Sequence, residues 1–242
     1  LSRYFRVDEE LAPGVEIALD PQRFERVLRV RVGDRLTLCS PSGRLFEVEV
    51  TIARPPVARV VAEGHGLERN PRRSLEVWVP MLKGGRTDDL VRQLTELGAT
   101  RIVPFSSSHA VVRLEPSKAE ERRRRFAQIA EEAGNQCGRT LLPEVLAPVD
   151  GLPSVGGGLF LWEGYAESGG DMTLREALSD DALSARILAG PEGGLSEREA
   201  AHLVSLGWRG VGLGPRILRA ETAVIMLATL ALERRGEFET HR

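Results

Sequence analysis

Two spacings of apolar residues divide this sequence. Up to about residue 63 they alternate with polar ones: Leu36 and Leu38 within 35–39, and Phe46, Val48 and Val50 within 45–50. A period of two marks half-buried strands. Residues 3–7 and 57–62 read the same way, and Pro41-Ser42-Gly43-Arg44 is the turn of a hairpin. Val32-Gly33-Asp34 is a tight turn into a strand. One helix is predicted over 21–29, with Asp20 as its cap and Pro21 at its first position. It places Arg23, Arg26 and Arg29 on related faces. A small β-barrel with one helix accommodates this part, and residues 64–73 (GHGLERNPRR) form a linker.

From residue 75 strand and helix patterns alternate. Residues 75–82 read as a strand, and Thr87 caps a helix with Leu90, Val91, Leu94 and Leu97 on one face, stopped by Gly98. Residues 101–105 are the next strand, and 106–114 carry no clear pattern. Pro116 and Ser117 open a long helix, with Ser117 and Glu120 as a capping box and Phe126, Ile129, Ala130 and Ala133 on its buried side. The stretch 134–139 (GNQCGR) breaks it. A strand follows at 159–163, then a polar stretch, 164–184, with a helix over 173–178. This alternation implies a parallel sheet.

Residues 187–223 repeat one unit twice. The short strand 186–189 meets Gly190-Pro191-Glu192-Gly193-Gly194, and Ser196 with Glu199 caps a helix that runs to about Leu206. A second strand over 210–213 meets Gly214-Pro215-Arg216, and a second helix starts near Glu221 and Thr222. In open α/β sheets, ligands sit beyond the carboxyl ends of the strands. The stretch 223–232 is apolar on all sides except Thr229, so its helix is buried by its own chain or by a second copy, and a symmetric dimer is the commonest arrangement.

Composition narrows the function classes only slightly. The 242 residues carry a net charge of −2, 42% hydrophobic and 28% charged residues, ordinary values for a soluble globular protein. Only Lys83 and Lys118 are lysines, so an arginine here says less about function than usual. Cys39 and Cys137 lie far apart, which excludes a disulfide framework and favours a reducing, cytoplasmic compartment. No leader is expected at Leu1 and no membrane span. His65, His109, His202 and His241 are not spaced as ligands, so no metal is expected. Gly210, Gly212 and Gly214 resemble a dinucleotide loop, but Pro215 intervenes and no acidic residue follows at the ribose-clamp spacing.

The pair GPEGGLS (190–196) and LGPRILRAETA (213–223) resembles the RsmE family of 16S ribosomal RNA methyltransferases, of the SPOUT class, which make N3-methyluridine. Two upstream blocks agree: 86–98, ending in ELG, and 132–139, ending in QCGR. Arg26 to Arg29 (RVLR) and the Val32-Gly33-Asp34 turn resemble that family's PUA-like RNA-binding domain. Asn135 departs from the family, whose members usually carry Glu there.

The resemblance implies an α/β fold: a PUA-like β-barrel over 1–69 and a SPOUT methyltransferase domain over 70–242, with a parallel sheet and a C-terminal trefoil knot. It implies S-adenosylmethionine as cofactor and S-adenosylhomocysteine as product, held by three loops. These are Leu161, Trp162 and Glu163; Gly190, Pro191, Glu192 and Gly193; and Leu213, Gly214, Ile217 and Leu218, followed by Thr222 and Ala223. Uridine N3 must lose a proton, and charge spreads to O2 and O4. Arg219 and Arg139 are the candidates to hold that charge, Arg139 from either subunit. Glu221 or Glu192 is a candidate for the proton, and neither is singled out as the base. Arg3, Arg26, Arg29, Lys83 and Arg86 are expected on RNA phosphates. Expected partners are 16S rRNA of the small ribosomal subunit and a second copy, through the last helix. Two rival readings remain: a SPOUT enzyme acting on another RNA, such as tRNA at the ribose 2′-O, and an RNA-binding protein without catalysis.

Overall fold

The computed structural model describes residues 4–64, 69–110, 115–154, 156–162 and 173–239. The chain forms two compact units, residues 1–70 with 134–141, and residues 71–133 with 142–242. The segment 134–141 thus groups with the N-terminal unit, whereas the resemblance implies a single division, at 69/70.

The N-terminal unit is built on a five-stranded sheet. Its strands are β1 (Tyr4–Arg6), β2 (Glu16–Ala18), β3 (Arg35–Cys39), β4 (Leu45–Ala53) and β5 (Pro56–Glu63), in the order β1-β3-β4-β5-β2. The alternation in β4 puts Phe46, Val48 and Val50 fully inside with Leu38, Ala58 and Val60. The predicted helix is a π-helical segment, Gln22–Val27. Asp20 does cap it, accepting the N–H groups of Gln22 (3.0 Å) and Arg23 (3.2 Å). Phe24 from that segment meets the Phe5 ring edge-on at 5.2 Å.

The second unit is a three-layer α/β structure. Its strands are β6 (Glu76–Pro80), β7 (Arg101–Ser106), β8 (Glu144–Val145), β9 (Val149–Asp150), β10 (Gly158–Leu161), β11 (Arg186–Ala189) and β12 (Trp208–Val211). The order is β12-β10-β11-β6-β7-β8, with β9 also on β7, and every pair is parallel. Both faces of such a sheet must be covered. Val77, Val79, Leu159, Ile187 and Ala189 face a core with α1 (Arg86–Leu97) and α6 (Ala220–Arg234). Trp78, Phe160, Leu188 and Trp208 face the other way, toward Ala200 and Leu203 of α5 (Glu197–Ser205).

Several boundaries differ from the sequence pattern for identifiable reasons. Thr87 lies inside α1, where its hydroxyl accepts the Leu82 N–H at 2.8 Å, and the left-handed Gly85 (φ 79) is the cap. The long helix α2 (Ala119–Cys137) runs through Gly134 and stops at the left-handed Gly138 (φ 86). Glu120, expected to box with Ser117, binds Arg123 and Arg124 instead. Three short elements went unpredicted besides β2: α4 (Asp181–Ser184), capped by Asp180, and the strands β8 and β9. The predicted helix at 173–178 is α3 (Leu174–Leu178), opened by a capping box of Thr173 and Glu176.

Candidate functional site

Strand register fixes where the loops begin. Leu161 pairs with Ala189 on one side and with Val211 on the other. Trp162, Gly190 and Gly212 therefore leave the sheet at one level, on three neighbouring strands. With strands about 4.8 Å apart, those roots span about 10 Å.

The loop after β11 is folded back on itself. A Cβ at Gly190 would lie 3.1 Å from the Gly194 carbonyl carbon and 3.2 Å from the Leu195 nitrogen, so a larger residue would push the turn's own backbone outward by a few tenths of an ångström. The Gly194 N–H closes a turn onto the Pro191 carbonyl at 2.9 Å, and Leu195 anchors the loop in the core. Ser196 and Glu199 then form the expected reciprocal box. The loop after β7 braces it from outside. His109 Nδ1 lies 3.1 Å from the Gly193 carbonyl oxygen, and the Ser108 N–H donates to Glu199 at 2.8 Å. Burial alone would raise the Glu199 carboxyl; the N–H groups of Ser108 and Ser196 outweigh it and hold it below the usual carboxylate range.

The loop after β12 leaves the strand at Gly212 and runs to Arg219, the residue before α6. Among the described residues, no backbone hydrogen bond joins 213–218 to anything. Gly214 is left-handed (φ 97), Leu213 and Leu218 are half-buried, and Ile217 stands out at 85% exposure. Arg216 and Arg219 are exposed and have no ion-pair partner among the described residues. Arg219 is the residue before the first turn of α6, and its side chain does not cap the helix. Thr222, exposed, and Ala223, half-buried, follow in that first turn.

Arg86, at the start of α1, reaches both loops. Its Nε donates to the Lys83 carbonyl at 3.0 Å, Nη2 pairs with Glu192, and Nη1 lies 3.6 Å from Glu221 Oε2. That oxygen is buried and accepts no hydrogen bond among the described residues. Sequence reasoning placed Arg86 on phosphate; the structure places it between two carboxylates. Lys83 is exposed beside it.

Other expected site residues lie in the N-terminal unit. Arg26 and Arg29 line a groove of about 650 Å³ together with Arg31 and Arg54, two arginines that sequence reasoning passed over. Arg54 pairs with Glu25 at 3.5 Å; Arg26, Arg29 and Arg31 have no ion-pair partner among the described residues. Arg29 is left-handed (φ 55), which turns the chain out of the π-helical segment. Arg139 is 2% exposed, and its Nε donates to the Leu141 carbonyl at 2.7 Å. Its own carbonyl accepts the Tyr4 hydroxyl at 2.5 Å and Arg6 Nη2 at 3.0 Å. Burial pushes the Tyr4 phenol up despite Arg6 nearby, so it stays a donor. Asn135 Oδ1 accepts Arg6 Nε at 3.3 Å. Arg3 and Glu163 lie outside the described residues.

Comparison with known proteins bears on these loops directly. A family model described as an RNA methyltransferase domain matches residues 68–232. Ribosomal RNA small subunit methyltransferase E of Bacillus subtilis (strain 168) is 30% identical over 206 residues, 81% of this chain and 80% of that protein. The protein of the same name from Mycobacterium tuberculosis (strain CDC 1551 / Oshkosh) is 28% identical over 218 residues, 81% of this chain and 77% of that protein. Among solved structures, a ribosomal RNA small subunit methyltransferase E from Neisseria gonorrhoeae, bound to S-adenosyl methionine, superposes with a TM-score of 0.79. It is 26% identical, over 96% of this chain and 98% of that one.

Proposed function

Since this chain belongs to the ribosomal RNA small subunit methyltransferase E family of RNA methyltransferases, we propose that it methylates N3 of a uridine in 16S ribosomal RNA, with S-adenosylmethionine as donor. The observation that carries this reading is the level alignment of three loops on neighbouring parallel strands, two of them bearing GPEGG and LGPRILRAET. The cofactor fits what the loops offer. Peptide N–H groups along 213–218, Pro215 apart, have no backbone partner among the described residues and suit a nucleoside, and half-buried Leu213 and Leu218 supply apolar contact for its base. Leu161, Trp162 and the 190–193 turn complete the set, and the relative from Neisseria gonorrhoeae holds this cofactor.

When bound, the sulfonium supplies a methyl group that is already electrophilic, so this chain's own residues work on the acceptor. Uridine N3 gives up a proton, and the resulting charge on O2 and O4 needs a cation beside it. Arg219 is exposed, without a partner among the described residues, and sits at the end of the cofactor loop, so we assign it that charge. Arg139, buried with its Nε on a carbonyl, instead holds the 139–141 segment. Glu221 and Glu192 are engaged by Arg86, and the proton acceptor is assigned to neither. Arg26 and Arg29, with Lys83, take RNA phosphates and set register.

The same reading includes a PUA-like barrel in the N-terminal unit and a trefoil knot at the loops after β10, β11 and β12. It also includes a homodimer through α6, whose Met226 is 39% exposed, and a cytoplasmic location with the ribosome. Nucleoside mass spectrometry of 16S rRNA from cells with and without the gene tests it. Loss of 3-methyluridine from 16S rRNA alone is expected. An unchanged 16S profile, or a lost 2′-O-methyl nucleoside in tRNA, overturns it.

A further inference from the structure

We propose that Arg86 is a positioning residue of the methyl-transfer site: one guanidinium ties the loop after β11 to the first turn of α6 and so sets the pocket for S-adenosylmethionine. The inference rests on the cofactor reading above. All three guanidinium nitrogens are engaged, each by a different segment. Nε is fixed on the Lys83 carbonyl, Nη2 on Glu192 between Pro191 and Gly193, and Nη1 faces Glu221, two residues past Arg219. The three side chains are 33%, 31% and 26% exposed, so water screens them less than it does fully exposed ion pairs.

Topology makes the link possible. β6 and β11 are neighbours in the sheet, and α1 begins just beyond β6, so its first residue stands beside the loop after β11. The segment 213–218 has no backbone hydrogen bond among the described residues. Its ends are held by β12 on one side and by the start of α6 on the other. Glu221 is the carboxylate at that start, and Arg86 is its only ion-pair partner among the described residues. Removing Arg86 takes the cation from both carboxylates and leaves a buried oxygen of Glu221 without a counter-charge. The fork shape of arginine reaches both; an ammonium is a single point charge and serves one of them well. Arg86 touches neither base nor methyl group in this account and acts through the two glutamates. Two carboxylates also compete with any phosphate for it.

The test uses the full-length protein with Arg86→Ala, Arg86→Lys, Glu221→Gln and the Arg86→Ala/Glu221→Gln double variant. Calorimetry with S-adenosylmethionine gives its affinity, and steady-state transfer to 16S rRNA gives KM and kcat. Arg86→Ala is expected to weaken cofactor affinity by about tenfold, the scale of one lost hydrogen bond. Its KM for the cofactor should rise, with kcat at saturation within a few-fold, and Arg86→Lys should recover part of the loss. Glu221→Gln should cost less in the Arg86→Ala background than alone, because the two share one interaction. Wild-type affinity and KM in Arg86→Ala overturn the proposal, as does weakened RNA binding with cofactor affinity intact. If Arg86→Ala does not fold, unchanged affinity in both Arg86→Lys and Glu221→Gln overturns it. A wild-type protein that takes up no cofactor defeats the cofactor reading itself.

Discussion

Gly158→Ala probes the strand on which the site is levelled. β10 lies between β11 and β12, with Gly158 opposite Trp208. A Cβ on Gly158 would come within 2.5 Å of Trp208 Cζ3, 2.6 Å of its Cε3 and 2.9 Å of the Arg186 carbonyl oxygen. None of these can retreat easily: Trp208 is fully buried, and the carbonyl belongs to β11. Overpacking of a tight core costs about 1–3 kcal/mol, and contacts this short with rigid neighbours belong at about 3. At about 2–4 °C per kcal/mol for a chain of this size, the melting temperature falls by about 6–12 °C. Calorimetric melting reads it. The affected residue is about 13 Å along the strand from Trp162, so cofactor affinity measured below the transition should stay within a few-fold. Gly193→Ala is the counterpart at the other end. Its Cβ would sit 3.0 Å from His109 Cβ and 3.2 Å from the His109 carbonyl oxygen, both on an exposed loop that can shift. There the melting temperature should move by only a few degrees while cofactor affinity drops. A Gly158→Ala protein that melts within about 2 °C of wild type would refute the register on which the site was built.

Other outcomes follow from the same geometry. Arg219→Ala should lower turnover by about 100-fold or more, the scale of one lost charge-stabilising donor, with cofactor affinity within a few-fold; collapse of that affinity in a titration would place Arg219 in the cofactor pocket instead. Arg26→Ala with Arg29→Ala should weaken RNA binding and reduce the slope of log affinity against log salt by up to about 2, and an unchanged slope would remove the groove from the RNA interface. Glu199 is held below the usual carboxylate range in the fold, so its stabilising effect is complete above the unfolded value of about 4.3 and fades as pH falls through the folded one. Denaturant melts of wild type and Glu199→Gln should therefore differ at neutral pH and converge in acid; a gap that widens in acid would contradict that sign.

Elements whose signals are local were legible in the sequence. The Ser196–Glu199 box, the Gly98 stop and the 186–189 strand each depend on residues within a turn or two of one another. β2 was not, because three residues form a strand only where β5 offers its edge, with Glu16 opposite Arg59. Gly134 reads as a breaker, yet the helix continues through it; packing overrides a propensity penalty of about 1 kcal/mol. Thr87 has the chemistry of a cap, but its hydroxyl is used by Leu82 across a loop. At the site, glycine-rich bends at strand ends could be seen directly, and the family resemblance gave them a ligand. The partners of Arg86 could not be seen, since Glu192 is 106 residues away and the contact exists only because β11 lies beside β6. His109, in a stretch with no clear pattern, meets Gly193 for the same kind of reason.

We propose that these three levelled loops hold S-adenosylmethionine and that Arg219 readies a uridine imide beside it. Incubation of purified protein with methyl-labelled S-adenosylmethionine and small ribosomal subunits from cells lacking the gene tests this most directly, with the labelled nucleoside identified by mass spectrometry. Label is expected in 16S rRNA as 3-methyluridine from the wild type, with labelling at least about 100-fold slower from Arg219→Ala. Label on a ribose, label in another RNA, or equal rates from the two proteins would contradict it.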